Sequence, residues 1–131
     1  MISPDLPADL RAALARKAEG LSRTDAAQRA GTISQTYRSG GGSNRIRSTD
    51  DALAYALARM PGTYAAVAAS LNALLENNPA FAPQSLLDVG AGPGTATWAA
   101  SEAFPSLGRF DLLDANAALP DLALALARSG P

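Results

Sequence analysis

Apolar side chains recur at three- and four-residue steps along most of this chain, and only near residue 86 do they gather into a short consecutive run. The first spacing lays one face along an α-helix, and the second suits a short strand. Leu10, Ala13, Leu14 and Ala18 predict a helix from Ala8 to about Ala18, started by Pro7 and ended by Gly20. A second helical segment begins at Ser22 and runs to about Tyr37. Ser39-Gly40-Gly41-Gly42-Ser43-Asn44 offers no bulky side chain to bury and reads as a flexible break over about 39–47. Arg38, Arg45 and Arg47 flank it, so a phosphate contact stands beside the plain linker as a second reading.

The strongest helical pattern follows. Ser48-Thr49-Asp50-Asp51 supplies capping side chains and first-turn carboxylates, which suit the positive end of a helix, and Leu53, Leu57 and Met60 form its stripe. Pro61 pushes the residue before it away from helical angles, which predicts a break or kink near Met60. A new helix is then expected from Pro61 to about Glu76, carrying Tyr64, Val67, Leu71, Leu74 and Leu75, with Asn77-Asn78-Pro79 as its stop. Phe81-Ala82-Pro83 leads into a buried strand of Leu86, Leu87 and Val89 that ends at Gly90. A helix from about Thr95 to Ala103 puts Trp98, Ala99 and Phe104 on one side, and Phe110 to Asp114 reads as another short strand. The predicted class is α/β, with a helical region over 1–80 and the first β-α-β-α portion of an incomplete Rossmann-like fold over 81–131.

The junction between the first strand and its helix carries the chemistry. Gly90, Gly92 and Gly94 permit positive φ and remove Cβ atoms where a ligand approaches the main chain. The N–H groups of the first helical turn point toward such a ligand, and Pro93 loses nothing by sitting at the helix start. A dinucleotide fingerprint needs glycine at position 95, where Thr95 stands, and a phosphate-binding loop needs a Gly-Lys pair that is absent. What remains is Asp88-x-Gly90-Ala91-Gly92-x-Gly94, with a carboxylate, Asp114, 24 positions after Gly90. An acid about 20 residues beyond the glycines, at a strand's carboxyl end, is placed to accept hydrogen bonds from ribose hydroxyls. Asp111 fits that role less well because it lies inside the strand. An ordinary strand-to-helix turn with Asp114 as a loop carboxylate or cap is the alternative, and Trp98 reads as core rather than as a stacking platform.

Composition narrows the chemistry further. The 131 residues contain no cysteine and no histidine, which excludes disulfides and thiolate sites and removes the commonest metal ligand and general base, so no metal site is expected. No apolar run is long enough to span a bilayer, and the opening residues lack the pattern of a signal peptide, so no membrane contact and a cytoplasmic location are expected. The net charge of −1 conceals an asymmetry: residues 1–60 hold nine Arg and Lys against six Asp and Glu, while 61–131 hold two against six. The basic front is open to two readings, an RNA-phosphate surface or a solvated set of helix faces.

The acidic residue two positions before G-x-G-x-G resembles motif I of the class I methyltransferases. Upstream, Ala54 to Ala66, with its Arg-Met-Pro-Gly-Thr-Tyr segment at 59–64, precedes Ser85 to Thr95 and Trp98 to Pro105. Together these resemble the methyltransferase-like family linked to the small ribosomal subunit, from about Leu10 to Arg128. The resemblance implies S-adenosylmethionine as cofactor, held at Asp88, Gly90, Ala91, Gly92, Gly94 and Asp114. Asp88 would meet the methionine end and Asp114 the ribose, and the implied partner is the small ribosomal subunit or its RNA. For Tyr64 and Arg59 core packing or a salt bridge is the preferred reading, with a place near the methyl acceptor as the second. Two strands fall short of a class I sheet, and the cysteine cluster of some relatives cannot exist here. The chain is therefore expected to be part of a longer protein, inactive by itself, with an exposed sheet edge through which it can dimerise. A ribosome-assembly or RNA-binding factor that keeps the fold without turnover is the competing reading.

Overall fold

In the computed structural model, which describes residues 1–39 and 46–128, the elements run α1 (Ala8–Ala18), α2 (Arg23–Arg38), α3 (Thr49–Asn77), β1 (Ser85–Val89), α4 (Thr95–Ala103), β2 (Arg109–Leu113) and α5 (Ala118–Ala127). Local chemistry sets their ends. The Ser22 hydroxyl accepts the Asp25 N–H at 3.0 Å at the start of α2, and the Ser48 hydroxyl accepts the Asp51 N–H at 3.1 Å at the start of α3. Each satisfies one of the main-chain donors that a helix leaves unpaired at its first turn. Asn78 closes α3 by donating its N–H to the Leu74 carbonyl at 2.8 Å. The expected break at Ser39 to Asn44 lies, from Gly40 onward, outside the described residues.

The break expected at Pro61 does not occur. A single 29-residue helix runs through it. An interior proline removes one helical hydrogen bond and crowds the carbonyl four residues earlier, a cost of about 3 kcal/mol. Pro61 faces solvent, while Met60 and Tyr64 beside it are each 1% exposed. Burying two such side chains contributes about 1.5–3 kcal/mol apiece, which offsets the proline and holds both halves in line.

Three apolar clusters form the core. Leu10 and Leu14 of α1, Ile33 of α2, Met60 of α3 and Leu122 and Leu126 of α5 meet in the largest. Tyr64 and Ala68 of α3 pack on Ala99 of α4 in the second, and Ala100, Ala103 and Phe104 cover Leu86 of β1 in the third. The helical region and the α/β unit thus share a core. A cluster of charges ties α2 to α3: the Arg29 guanidinium donates to Asp25 and to Asp51, each at 2.8 Å.

The strands pair in parallel, with Leu86 opposite Phe110, Asp88 opposite Leu112 and Val89 opposite Leu113. Here the structure corrects the expectation of a buried strand. Only the face carrying Leu86 and Asp88 meets α4, while Leu87, Val89 and Leu113 are 60%, 72% and 56% exposed. A parallel strand is buried on both faces only when helices cover both, and among the described residues they cover one. No helix among them is long and apolar enough to cross a membrane.

Candidate ligand site at the glycine turn

β1 delivers the chain to Gly90 at the carboxyl end of the sheet, and the next five residues reverse it into α4. Gly90, Gly92 and Gly94 take φ values of 69°, 56° and 90°, and no other described residue has positive φ. The reason for glycine differs among them. A Cβ built at Gly90 or Gly92 meets nothing within 4 Å, so those positions open onto free space, whereas one at Gly94 would touch Leu112, Ala123 and Trp98 at 3.6–3.9 Å. Gly94 is the N-cap of α4 and brings no side chain to its first-turn N–H groups.

The turn is tied to the end of β2. Gly90 and Ala91 donate their N–H groups to the Leu113 carbonyl at 2.7 and 3.0 Å. Gly92 donates to Asp114 Oδ2 at 2.8 Å, and the other carboxylate oxygen accepts the Asn116 N–H at 2.8 Å. Asn116 continues the frame, because its Oδ1 accepts the N–H groups of Ala118 and Leu119 at the start of α5 and its Nδ2 donates to the Ile46 carbonyl at 2.8 Å. No sequence signal had marked Asn116. Its position two residues after a strand-end carboxylate, at the entry to a helix, is the clue that was available.

The residues expected at the site are therefore mostly together, with Gly90 and Asp88 outside the cavity wall. Ala91, Gly92, Gly94 and Asp114 line a cavity of about 470 Å³ between α4, β2 and α5, whose wall is otherwise largely apolar, including Trp98, Phe110, Leu112 and Leu124. Gly90 lies at the mouth of the turn, bonded to β2. Asp88 is not part of that wall. Its Oδ2 accepts the Thr97 hydroxyl at 2.8 Å, which makes it a strut between β1 and α4, while Thr97 itself faces the cavity. Trp98 is both core and cavity wall, since it packs against two of the clusters and lines the groove. Asp111 accepts from Arg109 at 2.9 Å on the uncovered sheet face. Tyr64 is core, and Arg59 is exposed without an ion pair among the described residues. No cluster of three His, Cys, Asp or Glu side chains that could hold a metal occurs among the described residues.

This is an α/β protein with a parallel strand-turn-helix-strand unit, compatible with the start of a Rossmann-like fold, and a carboxylate braced against its glycine turn. The chain belongs to the mitochondrial small ribosomal subunit Rsm22 family, whose pattern matches residues 49–131. The match opens at the first residue of α3 and takes in the 59–64 segment and the glycine turn, so the likeness expected from Leu10 onward is shown from Thr49. The chain is also similar to the human mitochondrial ribosome assembly protein METTL17, with 40% identity over 79 residues. That alignment covers 60% of this chain and 17% of the relative.

Proposed function

We propose that the glycine turn binds S-adenosylmethionine and that the chain forms the first part of a methyltransferase-like protein acting on or around small-subunit ribosomal RNA. The observation that carries the reading is the Asp114 carboxylate held at the turn, beside two glycines whose missing Cβ atoms leave open space. Each carboxylate oxygen has a second lone pair beyond its main-chain bond, so Asp114 can accept ribose hydroxyls without releasing Gly92. The apolar wall suits a flat base, and the uncapped first turn of α4 offers donors to a carboxylate. Asp88, tied to Thr97, acts at one remove by fixing the side of the cavity.

When bound, the cofactor would supply an electrophilic methyl on its sulfonium, for transfer to an acceptor nitrogen or oxygen with the neutral thioether as leaving group. The contribution of this chain is to bind and orient the cofactor, and that positioning is a large part of such catalysis. Among the described residues no side chain is placed as a general base. The second reading, an assembly or RNA-binding factor without turnover, draws on the relative's description as a ribosome assembly protein.

Calorimetric titration of S-adenosylmethionine into the protein tests the site. Replacing Asp114 by Ala removes charge-assisted hydrogen bonds worth about 1.5–3 kcal/mol, so affinity should fall about ten- to a hundredfold. Equal affinity in wild type and variant would remove the ribose assignment. Transfer of a labelled methyl group to small-subunit RNA separates the two readings, since only the first predicts incorporation.

A further inference from the structure

A second cavity, of about 500 Å³, lies on the far part of α4 and owes nothing to the glycine turn. Its frame is the N-terminal segment laid across α3. Ile2 donates its N–H to Asn72 Oδ1 at 2.8 Å and accepts from Asn72 Nδ2 at 2.9 Å, and its side chain packs on two of the core clusters. Glu102 stands eight residues beyond Gly94, roughly 12 Å along the helix at 1.5 Å per residue. It lines both cavities.

Three polar groups face this second cavity without partners among the described residues. Tyr64 is 1% exposed yet makes no hydrogen bond through its hydroxyl. Among the described residues no fully buried polar side-chain atom is left unsatisfied, so that hydroxyl keeps its one opening, onto the cavity. Arg11 and Glu102, both solvent-exposed, line the same space, and neither takes part in an ion pair among the described residues. Burial pushes the Tyr64 phenol above its ordinary value, and the Glu102 carboxylate adds to the shift. The hydroxyl is thus a protonated donor at neutral pH.

We propose that this cavity binds a small zwitterion, an aliphatic α-amino acid, with its carboxylate on Arg11 and the Tyr64 hydroxyl and its ammonium on Glu102. Charge balance decides the class. Asp5 and Glu102 oppose the single cationic side chain, Arg11, so the cavity has no positive excess with which to hold a phosphate. A zwitterion satisfies both signs at once, and Leu6 and Pro7 supply an apolar wall for its side chain. The Tyr64 hydroxyl, open to the cavity, can donate to the ligand's carboxylate.

L-Leucine is the probe, followed by amide chemical shifts on the whole 131-residue chain. Saturable shifts at Ile2, Arg11 and Glu102 are expected, with N-acetyl-leucine and leucinamide each at least tenfold weaker because each lacks one charge. Tyr64→Phe keeps the ring and its packing and should weaken leucine about tenfold while leaving S-adenosylmethionine affinity unchanged. Asp114→Ala should do the reverse, so the two sites fail or stand independently. Absence of saturable shifts with L-leucine, or binding of N-acetyl-leucine as tight as that of leucine, would overturn the proposal. Retention of full leucine affinity by a folded Tyr64→Phe protein would overturn it as well.

Discussion

At Gly90, Gly92 and Gly94 the same residue type answers two different demands, and substitution separates them. Each has positive φ, so alanine at any of the three should cost about 1–2 kcal/mol of stability in urea unfolding. Only at Gly90 and Gly92 does the new methyl enter open space. Alanine at either should therefore lower S-adenosylmethionine affinity by more than its stability cost explains, and by more than alanine at Gly94, whose methyl would lie against Leu112, Ala123 and Trp98. Equal affinity losses at all three positions would contradict this division. The sequence carried the motif and Asp114 plainly, because a strand-end carboxylate and glycines at fixed spacing are local features. It did not show what Asp88 touches in the fold. The resemblance directs that carboxylate to the cofactor's methionine end, and the fold brings Thr97, nine residues on, alongside it to donate its hydroxyl at 2.8 Å.

Among the helices, propensity and packing disagree at Pro61, and packing prevails. Local rules placed the ends of α1, α2 and α3 well because capping and turn residues act over a few positions. They failed at Pro61 because the burial of Met60 and Tyr64 depends on α1, α4 and α5, which no local window contains. Replacing exposed Pro61 by Ala restores the missing donor and should raise stability by about 1–3 kcal/mol, less whatever the unfolded chain gains in freedom. A fall in the unfolding midpoint would mean that the proline shapes α3 rather than burdens it. The junction of α2 and α3 makes a pH prediction. Burial alone would raise the Asp51 carboxyl, but the Arg47 N–H, the Arg29 guanidinium and the Ser48 hydroxyl together hold it below its ordinary value of 3.8. A depressed carboxylate contributes stability that is fully present above its unfolded value and disappears as pH falls through the folded one. The Arg29 guanidinium, raised chiefly by its hydrogen bond to Asp25 and then by that to Asp51, stays charged throughout. Thermal unfolding of wild type should accordingly lose more stability below about pH 4 than Asp51→Asn does, with the two profiles parallel above pH 5. Profiles parallel over the whole range would show that Asp51 gains nothing from its partners.

Among the described residues the helical side is well packed and one face of the sheet is uncovered. The alternation that would have distinguished a half-covered strand is missing from Leu86-Leu87-Asp88-Val89, where apolar residues point both ways. The sequence thus describes a strand covered on two faces, and the structure covers one, since α1, α2, α3 and α5 build their core on each other and on α4. Leu87, Val89 and Leu113 are left side by side on the bare face, with unpaired strand edges beside them, an arrangement that favours association with other apolar surface. Leu87→Lys should leave folding nearly untouched, because the side chain is already 60% exposed, and should reduce concentration-dependent light scattering and binding of an apolar dye by the 131-residue chain. Leu86→Lys is the contrasting variant, because it drives an ammonium into the cluster of Ala100, Ala103 and Phe104 and should unfold α4 from the sheet. If Leu87→Lys destabilises as much as Leu86→Lys, the face is covered in solution, and the alternation of exposed and packed residues along β1 does not describe the protein at work.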